Sequence, residues 1–541
     1  MKKIALLLSL SCVVLLYACS KDDGPDIKLV EVPDVQISCN GVPAVSMNNA
    51  DIVLSGAGCS EAGLRNAVAQ GGKILCDCGG ATINITSEIQ IIKDVVIDGG
   101  NVILDGGGST RIFHKIPGPD VDFTLQNITL RNGRSEGSGP IYLRSGALIT
   151  ARSYDADMAM DGSLICINVT FEDSRTASLT ESDVAGGAVY LFGVPEAVFS
   201  ECVFNNNRSS NGGAIGGIGS PLTIMNSVFS NNFAMGDNGL AGFGGAIYLD
   251  GTYSGTAGLG VSPDYTVCGT QFINNQAVRF GGASASVITR NSSALISFDK
   301  CTFSQNRAGI NGGYYSGGAI YHVDDLDEAV GTGDNSFKLT NSTLMNNEAH
   351  FQGGGLWIIC KQGVIANSTF YRNAALEPQS SLGGAMAFAE SNGYGGNYLV
   401  VNSTFAENTT ELFSGASYVA APNFVSFHGN IFYANRGGQN YPGQGHQLNG
   451  DPGSYSANGN LNIYYPVVIP NGNPDELILI SSLNEDPLLL PPADNGGPTF
   501  TMALQPGSPA IDAGDAALAT AADQRGIVRD GKPDLGAYEV K

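Results

Sequence analysis

The feature that most constrains this chain is a pair of short motifs that return together, as in NGGAIGGIGSPLTIMNSVFSNNFA at 211–234. Phe-x-x-Asn occurs at Phe204, Phe229, Phe272, Phe303, Phe370, Phe405 and Phe432. Leu344 with Asn347 is a variant, and Phe171 opens a degenerate copy, FEDS. Gly-Gly-Ala begins at Gly186, Gly212, Gly244, Gly281, Gly317 and Gly383, with Gly353-Gly354-Gly355 in the same role. From Phe171 onward, successive copies lie 25 to 43 residues apart. A solenoid whose coils carry loops of different length gives that irregularity, whereas helical repeats of fixed length do not.

Each copy reads as a strand, a sharp turn and a second strand. Three residues before the Phe stands Asn, at Asn168, Asn226, Asn341, Asn367 and Asn402. Asn is the non-glycine residue that best tolerates left-handed backbone, so this column marks a bend that stacks from coil to coil. Two before the Phe the residues are small (Cys202, Ser227, Thr270, Cys301, Ser342, Ser368, Ser403) and share its inward face by the period of two. Stacked phenylalanines predict an interior aromatic ladder, and the Asn after each predicts an amide ladder at the next turn. Paired glycines supply positive φ and close approach between coils. After them Val189, Ile215, Ile247, Ile320, Leu356 and Met386 point inward. The expectation is an all-β chain: a parallel β-helix of about twelve coils, with N- and C-terminal caps over the unpaired strand edges at its ends.

The chain carries 50 Asp plus Glu against 27 Lys plus Arg, a net charge of −23, and mean hydropathy +0.04. Such a surface repels phosphate backbones, so no nucleic-acid partner is expected, and the chain is expected to be a monomer. The start, MKKIALLLSLSCVVLLYAC, has a basic beginning and a short apolar run, the pattern of an export signal. Four cysteines cluster early (Cys39, Cys59, Cys76, Cys78), and export permits disulfides among them in any of three pairings. Cys166, Cys202, Cys268, Cys301 and Cys360 read as core thiols.

The run Leu16-Tyr17-Ala18-Cys19 resembles the lipobox of bacterial lipoproteins, which implies that Cys19 carries lipid, and the following SKDDGPD resembles an outer-face export signal. The GGAI and FxxN elements, across about 186–435, resemble those of polymorphic outer membrane proteins and related right-handed parallel β-helix proteins. CSEAGLRNAVAQGGKILCDCGG (59–80) and IDGGNVILDGGG (97–108) are similar to the opening coils of such proteins. The stretch 486–539, DPLLLPPADNGGPTF through DLGAYE, resembles the domain called choice-of-anchor Q. These resemblances imply a lipoprotein signal (1–18), a tether (19–35), an N-terminal cap with the first coils (36–115), β-helix repeats (116–465) and a choice-of-anchor Q-like cap (466–541). The chain ends in GAYEVK rather than a membrane barrel, which leaves the membrane partner to the lipid on Cys19. The implied location is the outer membrane of a Gram-negative bacterium, facing outward.

Two places could carry chemistry. Between the inward positions after Gly-Gly lies an outward column: Tyr190, Gly216, Tyr248, Ala285, Tyr321, Trp357, Ala387. Its rings (Tyr190, Tyr248, Tyr321, Trp357) suit stacking on sugars, unless the loops 250–264 and 389–397 fold over them. The second is HVDDLDEAVGTGDN at 322–335, where Asp324, Asp325, Asp327 and Glu328 are hard oxygen ligands suited to calcium, or else a solvated acidic loop. Asp523, Arg525, Asp534 and Glu539 offer a similar choice between calcium and an ion-pair network. No catalytic residue is assigned. The reading is a surface adhesin or glycan-binding lipoprotein, with a glycoside hydrolase or polysaccharide lyase on the same fold as the alternative, and a structural spacer as the third.

Overall fold

A computed structural model describes residues 37–116, 121–152, 162–237, 241–251, 264–288, 293–324, 335–391, 393–438, 447–450, 461–466 and 482–541. The first of the chain's two units, Met1–Val32, lies outside these residues, and with it Cys19 and most of the tether.

The second unit is a parallel β-helix. Among the described residues its strands form three sheets of 24, twelve and seven strands, and strands paired within a sheet come from successive coils. One coil shows the plan. Leu222–Met225 and Val228–Ser230 belong to the first sheet and meet at a bend on Asn226; Phe233–Ala234 is the third sheet's short strand; Ile247–Asp250 lies in the second sheet.

Each column expected inside is inside. Phe204 pairs in register with Phe229, Phe229 with Phe272 and Phe272 with Phe303. Their rings stack 4.5, 5.1 and 4.7 Å apart with interplanar angles of 13° or less. Leu344 interrupts the stack, which resumes from Phe370 through Phe405 to Phe432. The amide ladder runs beside it. Asn207, Asn232, Asn275, Asn306, Asn347, Asn373, Asn408 and Asn435 are fully buried, and each Nδ2 donates to the next rung's amide oxygen. Gln447 closes the ladder by accepting from Asn435 at 2.9 Å.

The corners follow from backbone demands. Asn168, Asn226, Asn341, Asn367 and Asn402 have φ between 46° and 51°. At the other corner Gly244 has φ 65°, and a Cβ on Gly245 would stand 1.9 Å from the Gly282 carbonyl oxygen. Any larger residue there pushes two coils apart.

Both terminal segments run along the outer side of the first sheet, over the asparagine bends. From Lys300, whose Nζ donates to the Ser38 carbonyl, residues 38–45 pass Asn226 and Ser200 to reach Gln126, where Val45 N donates to Oε1 at 2.8 Å. Residues 499–536 cover the later bends: Thr499 Oγ1 donates to Asn341 O, Thr520 N to Asn402 Oδ1 and Gly536 N to Gly429 O. Gln524 is buried among Thr343, Thr369 and Thr499. Near the first coils Ser60 Oγ caps the helix Glu61–Gln70, which turns Leu64, Ala67 and Val68 into the core.

The cysteines require a correction. Cys59 pairs with Cys78 within the early cluster, but Cys39 bridges to Cys268, 229 residues away. Cys76 is a buried free thiol. Strand period explains both outcomes. Ile74 and Cys76 share the inward face of Gly72–Asp77, whereas Cys268 follows the inward Val267 and meets the terminal segment outside. Cys166, Cys202, Cys301 and Cys360 are buried thiols, as expected.

Candidate functional site

The outward column of the second sheet is where the chain gathers rings outside its core. Tyr190 is fully buried, and its hydroxyl has no hydrogen-bond partner among the described residues, so this member of the column is out of reach of a ligand. Tyr248 and Trp357 are half-buried, and Tyr321 is buried at 9% exposure. Tyr321 and Trp357 occupy the same position on adjacent coils and stack 4.5 Å apart at 6°. The Trp357 indole N–H donates to Gln352 Oε1 at 3.0 Å, which fixes its edge.

Ala285 leaves a gap between Tyr248 and Tyr321. Phe243 and Phe280, each immediately before a Gly-Gly corner, fill it. Phe280 lies 4.6 Å from Tyr321, and Phe243 lies 5.0 Å from Phe280 and 5.4 Å from Tyr248. Tyr315 meets Phe280 edge-on at 5.1 Å, with the Arg279 guanidinium 5.4 Å from its ring centre. Phe243 and Phe280 are parallel register partners at the position before the Gly-Gly corner, which other coils fill with Ala185, Asn211, Gln352 or Leu382, so the one signal for them was a Phe twice preceding Gly-Gly-Ala. Tyr394, from the loop 389–397, packs against the cluster. That loop therefore covers part of the ring surface, while the described part of the loop at 250–264 reaches only residue 251 before resuming at 264. Burial pushes the phenols of Tyr190, Tyr248 and Tyr321 up, so they stay neutral donors.

Asp324, the first residue of the acidic stretch, is 1% exposed. Its Oδ1 accepts from Asn335 Nδ2 at 3.1 Å, and Oδ2 accepts from Lys361 N at 3.2 Å and from the Tyr394 hydroxyl at 3.0 Å. Asp324 thus anchors the covering loop. Asp325, Asp327 and Glu328 lie outside the described residues. Among the described residues no group of three or more His, Cys, Asp or Glu side chains is placed to hold a metal.

Two coils also assemble a line that no linear motif announces. Ser286 and His322 are register partners, with Ser286 Oγ 2.9 Å from His322 Nδ1 and His322 Nε2 3.7 Å from Asp324 Oδ1. A hydrolytic triad places the serine on Nε2 and opens it to substrate. Here the serine is on the other nitrogen, and all three side chains are at most 2% exposed. Burial lowers the imidazole to about 3, so His322 is neutral and serves the core.

The C-terminal carboxylates satisfy one another's neighbours. Asp523 accepts from Arg525 Nη2 at 2.6 Å and Nε at 2.8 Å, and Glu539 accepts from Arg529 Nη1 at 3.1 Å and from Asp534 N at 2.9 Å. That is the ion-pair arrangement. On the first sheet's outer face a groove of about 630 Å³ runs past Lys338, Val364, Leu399, Phe424, Ser426 and His428. Burial lowers the His428 imidazole.

Residues 226–250 match the model of the Chlamydia polymorphic membrane protein repeat. The matched segment runs from the Asn226 bend through Phe229 and Asn232 to the Gly244-Gly245-Ala246-Ile247 corner, one coil of the solenoid. No curated protein matches the chain. The repeat and the stacked parallel sheets together fit a β-helix of the polymorphic-membrane-protein type.

Proposed function

We propose that this is a surface-exposed, adhesin-like β-helix protein of an outer membrane, held by a lipid on Cys19, which presents the ring cluster of its second sheet to a glycan. The repeat match supports a surface role of this kind. The observation that carries the ligand reading is the cluster itself: Phe243, Tyr248, Phe280, Tyr321 and Trp357 lie outside the main core, and Tyr248 and Trp357 keep partly open edges. Aromatic rings fixed on a sheet stack against the apolar faces of sugars at little entropic cost.

The test incubates the protein with a broad polysaccharide panel and quantifies bound sugar and newly formed chain ends. Trp357→Ala and Tyr248→Ala are each expected to weaken binding about three- to tenfold, while Tyr190→Phe, which removes only a buried unpartnered hydroxyl, leaves it unchanged. Unaltered affinity in both ring variants retires the site. New chain ends replace the adhesin reading with a polysaccharide-degrading enzyme. Cys19→Ala should release the protein from membranes, and retention there removes the lipid anchor from the reading.

A further inference from the structure

The third sheet carries a charge pattern unlike the rest of this acidic molecule. Its short strands put their first residue outward and their second inward, as in Arg208–Ser209. Arg134, Arg175 and Arg208 share that outward position on three successive coils: Arg134 bridges in parallel to Arg175, and Arg175 to Arg208. Coils rise about 4.8 Å, so three guanidinium groups are based along about 10 Å of one flank. Arg175 and Arg208 are exposed and Arg134 is half-exposed.

Among the described residues none of the three has a carboxylate within ion-pair distance; Arg208 Nη2 has only Asn206 Oδ1, at 3.4 Å. Other arginines of this chain do find acids. Arg131 meets Asp105 at 2.7 Å, and Arg307, three rungs further along the same column, meets Glu348 on the next rung at 2.7 Å. Like charges set in register on neighbouring strands repel, so an unpaired ladder costs stability that a bound anion recovers. Guanidinium groups bind carboxylate and sulfate through paired N–H donors.

We propose that Arg134, Arg175 and Arg208 form a binding ladder for an acidic polysaccharide lying along the solenoid axis, with its carboxylates or sulfates on the arginines. The flanking turn favours a sugar over a nucleic acid. Asp173, whose Oδ1 accepts from Asn206 Nδ2 at 2.7 Å, presents an acidic and amide edge beside the ladder. Sugar hydroxyls can bond to that edge, and a phosphate backbone offers it no donor; the net charge of −23 opposes every polyanion alike, so the attraction is local to the three arginines and falls with salt.

The experiment measures binding of the full chain to polygalacturonate, dextran sulfate and duplex DNA over a range of salt. The wild type is expected to bind at least one acidic glycan in a salt-sensitive way, and which polymer binds tells carboxylate from sulfate. Arg175→Gln should weaken that binding about threefold, and the Arg134→Gln, Arg175→Gln, Arg208→Gln triple variant about thirtyfold with a shallower salt dependence. The triple variant should melt no lower than the wild type at low salt, because it removes repulsion; this shows that it is folded. Arg307→Gln, in the same column but paired with Glu348, should leave acidic-glycan binding within about twofold of wild type. The proposal is overturned if neither glycan binds, if the triple variant binds as the wild type does, or if DNA binds as tightly and is lost in parallel.

Discussion

Two columns rich in asparagine run through the later coils of this solenoid, the outer one interrupted by Glu201, Gly269 and Lys300, and they are held in opposite ways. The inner one, Asn207 to Asn435, satisfies itself: every amide takes its partner from the next rung, and every Nδ2 also reaches a backbone carbonyl, as Asn306 does with Phe272 O at 2.9 Å. The outer one, Asn168 to Asn402, is chosen for its positive φ, and its amides face away from the core. Some bond along the column, as Asn168 does to Asn127. Others are completed by the chain's own ends: Asn226 Oδ1 accepts from Ser38 N and Cys39 N, and Asn402 Oδ1 from Thr520 N. The same residue type thus serves as a structural rung inside and as a docking rail outside. The interior is made by the repeat alone, whereas the flank needs sequence from both termini.

The inner column should break hardest. Asn306→Ala strips partners from Phe272 O, Asn275 N and Asn275 Nδ2, all buried. Leaving several buried groups unsatisfied is expected to cost about 4 kcal/mol, read as a lowered denaturation midpoint, and a loss under about 1 kcal/mol would mean water enters the ladder and replaces the amide. The rail's covalent pin comes next. Replacing Cys39 and Cys268 together by Ser removes a cross-link spanning 229 residues, with an expected cost of about 3 kcal/mol. Hydrogen exchange should rise along 38–45 while the interior stays protected. Exchange rising equally in the Phe204–Phe303 coils would show that the segment holds up the solenoid instead of resting on it.

What the sequence made legible follows the same division. Inward columns obey a period of two and repeat on every rung, so Phe204 to Phe432 and the small residues before them identified themselves. The outward positions depend on register between coils, and loops of uneven length hide it. Arg134, Arg175 and Arg208 are separated by 41 and 33 residues, so they read as scattered charges until the coils are stacked. Ser286 and His322 meet for the same reason. Cys39 offered no local sign of Cys268, because the pairing depends on the path of the terminal segment. In the ring column the alternation placed Tyr248, Tyr321 and Trp357 outside the main core, but burial of Tyr190 and the filling of the Ala285 gap by Phe243 and Phe280 come from residues outside that alternation.

The smallest effect separates the two demands placed on one outer asparagine. At Asn402 the backbone has φ 46°, and the side chain accepts from Thr520 N at 2.8 Å. Asn402→Gly keeps that backbone accessible and removes only the amide, so it should cost about 1 kcal/mol and show as faster exchange near Thr520 with the solenoid's midpoint nearly unmoved. Asn402→Ala removes the same amide and also places a Cβ in left-handed backbone, adding about 1 kcal/mol more. The Ala–Gly difference therefore reports the bend, and the difference between Gly and wild type reports the rail. If Gly proves as damaging as Asn306→Ala, the outer column is part of the core's support and the distinction between the two columns fails. If Ala and Gly are equal, the bend relaxes, and the asparagines at these turns are retained for the terminal segments they hold.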